Sequence, residues 1–452
     1  MDAIEAFADY VAETNYENLP PETIAATRTF IQDSFGVGIV GSAAPQVDAL
    51  RRAAKLWGQG DDARVWVSGE RLPAQAAAFI NAFQTHNSEF DCIHEGAVVH
   101  CVTVVLAASM AIAERQQNVS GKDLMLAVAL GVDVACVLGV AATSGLQFFR
   151  PATAGTFAAT LGVGKLMGFK RERLIQACSI AYGQIGGTMQ AHTEGSSLLA
   201  VQMGFAARNA IAACDLAAEG VDGPRQIIEG EFGYLNMMEA GHDLRDMINT
   251  LGKIWRITEV AHKPFPSGRA THGIIECCLN IRRDYDINTD DIAAVVCAAP
   301  PLITQLVGRS PNEEMTPNYA RLCGAYAAAR ALTHGAVEVS HFNSRALKNT
   351  SILKLAERVT ILINDNSDPN ALSPLTVNVE LKDGSVFSTS QDIVLGNPLN
   401  PLSRDEHIAK FTRNCASARP AIPQTQIKAL IKRSDNLEGE ANISSIVDLM
   451  VA

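Results

Sequence analysis

The fifteen residues from His86 to His100 (His-Asn-Ser-Glu-Phe-Asp-Cys-Ile-His-Glu-Gly-Ala-Val-Val-His) hold three histidines and three carboxylates, with no Lys or Arg among them. They run straight into residues 101–113, an apolar stretch that reads as a buried helix. Ionisable groups are costly beside a dry core unless they are paired or used. An acid/base cluster at the mouth of such a helix is therefore a site candidate, set against the plainer reading of a solvated, capped loop. Asp91, His94 and His100 suit general acid–base chemistry, in which one group takes a proton and another delivers one. His94 and His100 are six residues apart, which matches no standard zinc spacing, so a metal is the lesser reading.

Three more segments carry chemistry. Arg150 stands immediately before Pro151 at a helix start, where free backbone N–H groups and a guanidinium together make an anion site; an exposed arginine is the alternative. In the Gly-bounded stretch 187–195, Gln190, His192 and Glu194 alternate along a polar connection between helices. The stretch 262–272 is the most cationic in the chain. Lys263 and Arg269 there are natural partners for substrate carboxylates, and His272 is a candidate proton carrier. The same residues also read as a rigid hinge, since two prolines fix the backbone. His86, His242, His334, His341 and His407 stand outside any constellation and read as structural. Residues 160–166 resemble a phosphate loop only superficially, and neither a G-x-S-x-G elbow nor an H-E-x-x-H pair occurs. Nucleotide-binding and serine-hydrolase readings fall.

The elements that would position these groups are mostly helices. Helical periodicity or helix-start signals mark 2–12, 20 onward, 73–83, 99–114, 120–140, 151–167 and 196–219, with a capping box predicted at Ser120 and Asp123. After Pro266 the pattern changes. Residues 271–285 and 319–333 read as helices, 292–299 and 358–363 as β-branched apolar runs, and 375–381 with 386–390 as a hairpin around Lys382-Asp-Gly-Ser385. The fold class expected is mainly α with an α+β part. A large all-helical domain spans 1–266 and 397–452, and a smaller α+β domain with an antiparallel sheet spans 267–396. A cleft between two such domains is where a ligand would bind.

Composition bounds the function. The chain has 452 residues, 48% of them hydrophobic, enough for large cores. Its formal net charge of −11 argues against nucleic-acid or anionic-membrane partners, which need a basic surface. Ten scattered cysteines without C-x-x-C pairs read as buried reduced thiols, and the acidic N-terminus lacks the order of a secretory signal, so a cytoplasmic location is expected.

Several of these residues together resemble the MmgE/PrpD family. They are the acidic segment ending in His100, Arg150-Pro151, Gly204-Phe-Ala-Ala-Arg208, Gly223-Pro224 with Glu229-Gly230, Lys263-Pro-Phe-Pro266 and Asn400-Pro-Leu-Ser403. The resemblance implies a helical domain plus an α+β domain, a homodimer, and chemistry without metal or other cofactor. It also implies that Tyr326, in Ala320-Arg-Leu-Cys-Gly-Ala-Tyr326, is a second proton donor, and that a carboxylate substrate forms a carbanion beside one of its carboxylates. In relatives the acidic segment begins Asp-Phe-Asp, where Glu89-Phe-Asp91 stands here. Their His-Pro is Arg150-Pro151, and their lysine before the Gly204 helix falls at Leu199. The chain is thus expected to be a divergent branch with its own substrate. The expected function is a lyase acting on a small di- or tricarboxylate by dehydration or decarboxylation. His100 would be the acid/base, Asp91 or Glu89 would orient it, and Arg150, Lys263 and Arg269 would hold carboxylates. Gln190 and His192 would read another polar group. The alternatives are an epimerase using His100 against His272 or Tyr326, and an inactive ligand- or partner-binding member.

Overall fold

Five helices that are apolar nearly all round form the centre of the molecule: Ala74–His86, Cys101–Gln116, Gly121–Val140, Arg150–Leu166 and Leu198–Ala218. A helix without a polar face has to be enclosed by others, and these pack on one another as the main core. The structure is a computed structural model and describes residues 2–368 and 370–452. Small residues set how closely the helices approach. A side chain at Gly41 would put its Cβ 1.7 Å from the Gln84 carbonyl oxygen, and one at Gly139 would lie 2.6 Å from that of Ala97. The helix Gly121–Val140 is long and apolar enough to cross a membrane, yet nearly all of it is enclosed by protein. Its predicted capping box is present: Ser120 Oγ accepts from the Asp123 N–H at 3.2 Å, and Asp123 accepts from the Ser120 N–H at 3.0 Å. All ten cysteines are buried and unpaired.

The segment after residue 403 folds back onto the helical part. Arg404–Ala416 packs against Pro21–Gly41. There Lys410 is buried, its Nζ 2.8 Å from Asp33 and donating to the Phe90 carbonyl at 3.2 Å.

A second core forms around four strands, β1 (Ile292–Ala299), β2 (Val359–Ile363), β3 (Leu375–Leu381) and β4 (Val386–Gln391), in the order β2-β1-β3-β4. The β3–β4 hairpin is antiparallel as predicted. The expectation of an antiparallel sheet needs correcting, because β1 and β2 are parallel. The chain leaves β1 and returns through five α-helices between Pro301 and Ala356, and such a crossover restores the strand direction. The single helix expected over 319–333 is also two, Pro317–Arg321 and Gly324–His334. The break between them frees the Arg321 carbonyl to accept from the Gly268 N–H at 3.0 Å, tying the domain entrance to this turn.

Candidate active site

The acid/base stretch lies where the two cores meet. His86 ends one central helix and His100 precedes the next, so the stretch between them is a loop clamped at both ends by buried helices. Two of its non-glycine residues, Glu89 (φ 51°) and Val98 (φ 52°), are in the left-handed region. Such conformations cost about 1–3 kcal/mol each and persist where the surroundings over-determine them. The surroundings here come from distant parts of the chain. Lys410 holds the Phe90 carbonyl, Arg321 of the smaller domain holds the Asn87 carbonyl at 3.1 Å, and Lys263 pairs with Glu89 at 2.8 Å.

Asp91 is at the centre, fully buried. Its Oδ2 accepts from Thr103 Oγ1 at 2.6 Å and lies 2.9 Å from His86 Nδ1 and 3.1 Å from His100 Nδ1, while Lys263 Nζ is 3.9 Å from Oδ1. Burial alone would raise the Asp91 pKa, but the two imidazoles outweigh it and hold the carboxyl well below its ordinary value. Glu89 is likewise raised by burial and lowered more by Lys263, ending at about 2. The two histidines part company. Burial lowers His100, and Asp91 does not fully reverse it; in His86 the combined charge of Asp91 and Glu89 overcomes burial and raises the pKa. The result is an ionised Asp91 backing a neutral His100, whose ring borders the cleft. Asp91 Oδ1, His86 Nε2 and His100 Nδ1 are buried without a well-aligned hydrogen bond.

The cleft encloses about 640 Å³, including its solvent-open mouth. One wall comes from the helical domain, with Glu89, Ile93, His100, Phe149 and His192; the other comes from the α+β domain, with Arg269, Leu302, Leu306 and Leu322. Of the predicted residues, Glu89, His100, His192 and Arg269 border the cleft, and Asp91 and Lys263 stand directly behind them.

The others are placed elsewhere. Arg150 is buried in a two-pronged pair with Glu239, at 2.8 and 2.9 Å, and its third contact is the Ala97 carbonyl at 3.0 Å. It is a strut under the acid/base loop, with each guanidinium nitrogen already bonded. His94 Nδ1 accepts from the Ala97 N–H at 3.0 Å and its Nε2 faces Glu259 at 2.9 Å, so its ring folds the loop. His272 is fully buried; its Nδ1 accepts from Arg269 at 3.3 Å, its Nε2 faces the Ser267 carbonyl at 3.1 Å, and burial beside Arg269 keeps it neutral. Tyr326 lies in the core of the α+β domain, donating to the His341 carbonyl at 2.8 Å and accepting from Arg330. Gln190 is exposed and bonded to Glu194. None of these five borders the cleft.

Sequence reasoning missed His86, which the structure puts against Asp91; its signal was its own place at the head of the cluster. It also missed Thr103, one turn into the following helix, and Arg309 with Arg321, for which the sequence offers no signal. Arg309 donates to the His192 carbonyl at 2.9 Å and lies 3.2 Å from its Nδ1, and burial together with this guanidinium drops the His192 pKa to about 4. His262 and His407 also gather, with Asp33, into a buried group beside Lys410. In that group and in His86–Asp91–His100 the ligand-type atoms lie within 4.8 Å of one another, close enough to share a cation. In the first group the Lys410 ammonium already sits on Asp33.

Residues 5–247 match the MmgE/PrpD N-terminal domain and residues 265–436 the MmgE/PrpD C-terminal domain. The chain is 25% identical to the cis-aconitate decarboxylase of Homo sapiens, over 99% of this chain and 94% of the human protein. Similarity to the cis-aconitate decarboxylase of Mus musculus is 26%, over 99% and 93%. That to the Aspergillus terreus enzyme of the same name is 25%, over 96% and 93%. Two domain matches that together span most of the chain, on a fold of the helical-plus-α+β kind, place this protein in the MmgE/PrpD family, as a divergent branch.

Proposed function

We propose that this protein is a lyase for a carboxylic acid, working through a carbanion beside a carboxylate, with His100 as the proton carrier. The observation that carries this reading is the neutral His100 bordering the cleft in front of an ionised Asp91. Asp91 beside Nδ1 favours the tautomer that keeps a proton there and leaves Nε2 free to accept one. In an elimination, Nε2 takes the proton from the carbon next to the carboxylate. The C–H electron pair becomes the new C=C bond, and the β-substituent leaves with the electrons of its own bond, as water when it is a protonated hydroxyl. A decarboxylation uses the same nitrogen in reverse, delivering a proton to the carbon that has lost CO₂. A histidine held neutral starts as a base, which favours elimination. The curated relatives named as cis-aconitate decarboxylases support a lyase acting on a carboxylate, and make small di- and tricarboxylates the first compounds to test.

As an epimerase, the site would need a second carrier opposite His100. His272 and Tyr326 are both turned into cores, so His192 would have to serve. The homodimer and cytoplasmic location that the sequence suggests belong to this proposal too, and light scattering of the purified chain tests the first.

The deciding experiment is proton NMR in D₂O with a panel of hydroxy acids and unsaturated acids. Deuterium at the carbon next to a carboxylate, lost in His100→Gln with the fold intact, is expected. Exchange that persists in His100→Gln removes His100 from the role, and a folded wild type that exchanges nothing favours an inactive binding member.

A further inference from the structure

Two imidazoles share one oxygen of Asp91 on unequal terms. His86 Nδ1 lies 2.9 Å from Asp91 Oδ2 in a well-aligned hydrogen bond, whereas His100 Nδ1 is 3.1 Å away and poorly aligned. The other ring nitrogen of His86 faces a second carboxylate, its Nε2 3.6 Å from Glu89 Oε1. The remaining oxygen of each carboxylate turns to Lys263, whose Nζ is 2.8 Å from Glu89 Oε2 and 3.9 Å from Asp91 Oδ1. His86, Asp91, Lys263 and Glu89 thus close a buried ring in which every contact joins a carboxylate to a nitrogen.

A neutral His86 does not suit that ring. With its one proton on Nδ1 for Asp91, its bare Nε2 would set a lone pair against the Glu89 carboxylate. A single ammonium would then stand between two buried carboxylates, and an unbalanced charge is costly in such a place. A proton on Nε2 turns the repulsion into attraction and leaves two positive groups against two negative ones. Burial opposes a charge on His86, and Asp91 with Glu89 outweighs it. His100 has Asp91 alone within ion-pair distance, and its ring stands edge-on to that of His86 with centroids 4.6 Å apart. A second proton on His100 would meet the first at close range. Farther out, His192 is neutral, and the guanidiniums of Arg309 and Arg321 act on Glu89 without being ion-paired to it or to Asp91 among the described residues. Both add to the opposition that a second proton meets.

We infer that His86 is a standing imidazolium, a positioning residue that completes this ring of alternating charge and keeps His100 free of a proton. That His100 is then the working base rests on the lyase reading; the charge on His86 does not.

Nitrogen-15 NMR of the full chain with labelled histidines, without any ligand, tests it. The His86 ring is assigned by its contacts with the rings of His100 and Phe149. Expected at neutral pH are hydrogens on both nitrogens of His86 and on one nitrogen of His100. A bare nitrogen on His86, or two hydrogens on His100, overturns the inference, and this wild-type spectrum decides even if a variant fails to fold. His86→Gln keeps a donor for Asp91 and removes the charge. It should raise the titration midpoint of His100 by about one pH unit or more, and adding Glu89→Gln, which removes the unmatched carboxylate, should bring the midpoint back. A midpoint that stays put in both variants would leave His86 a purely structural hydrogen-bond partner and sink the proposal. Deuterium exchange on the hydroxy and unsaturated acids separates the two claims. Two hydrogens on His86 with exchange that persists in His100→Gln keep the ring and remove the lyase reading; a bare nitrogen on His86 with exchange lost in His100→Gln does the reverse.

Discussion

Removing the imidazole at position 100 tests the residue scale most directly, since general acid–base groups contribute about 10²–10⁴-fold to rate. His100→Gln should lose activity by that factor with an unchanged melting temperature. Because burial holds the His100 pKa below its ordinary 6.5, activity should fall only as the pH drops below that value. Asp91 raises the His100 pKa, so Asp91→Asn should move the acidic limb of the pH–rate profile to lower pH while kcat falls. A limb that moves upward would exclude this pairing. Stability carries a separate signature. Glu89 ionises at about 2 in the folded protein against 4.5 for the free side chain. A depressed carboxylate lends stability that is whole above pH 4.5 and is lost as the pH falls from there toward 2. Lys263→Met should flatten the melting-temperature curve in that window; an unaltered slope would mean that Lys263 is not what holds Glu89 ionised.

Arg150 shows where residue-level reading stopped. A helix-start arginine in a sequence suggests anion binding, and only the fold reveals Glu239, 89 residues later, as its partner. Breaking a buried pair costs about 3–5 kcal/mol, so Arg150→Ala should lower stability by that amount, and Arg150→Ala with Glu239→Gln should regain part of it. A raised KM with normal stability would restore the substrate-binding role. Glu89, Asp91, His100, His192 and Arg269 could be found from sequence because each falls in a dense polar cluster or a punctuated loop. Tyr326 could not be placed, because a resemblance between short segments says nothing of which way a ring turns.

At the scale of elements, the helix boundaries were legible because apolar periodicity, prolines and caps are local signals. The parallel pairing of β1 with β2 was not, since it is decided by a crossover of some 60 residues rather than by either strand. The left-handed turns at Glu89 and Val98 were equally hidden, as neither residue is a glycine. Gly139 links an element to the site, for its close approach to the Ala97 carbonyl seats the loop that Arg150 and His94 also hold. Gly139→Ala should therefore cost about 1–3 kcal/mol and reduce kcat as well. Loss of stability alone, with full activity, would separate that helix from the loop.

Across the whole molecule, the acid/base loop is held from both domains. Arg321 of the α+β part holds the Asn87 carbonyl, and Lys410 of the helical part holds that of Phe90. Arg321→Ala should speed amide hydrogen exchange over residues 87–91 and leave the Gly121–Val140 helix unchanged. Uniform acceleration in both would point to general destabilisation instead. Lys410 and Phe90 are 320 positions apart. At the usual pace of translation, about 5–20 residues per second, roughly 15–65 s separate the appearance of the loop from that of the ammonium that pins it. From the synthesis of His100 onward a nascent chain carries Asp91 and His100 without the ammonium that pins their loop, so the acid/base pair waits for the helix Arg404–Ala416 before it takes its working geometry.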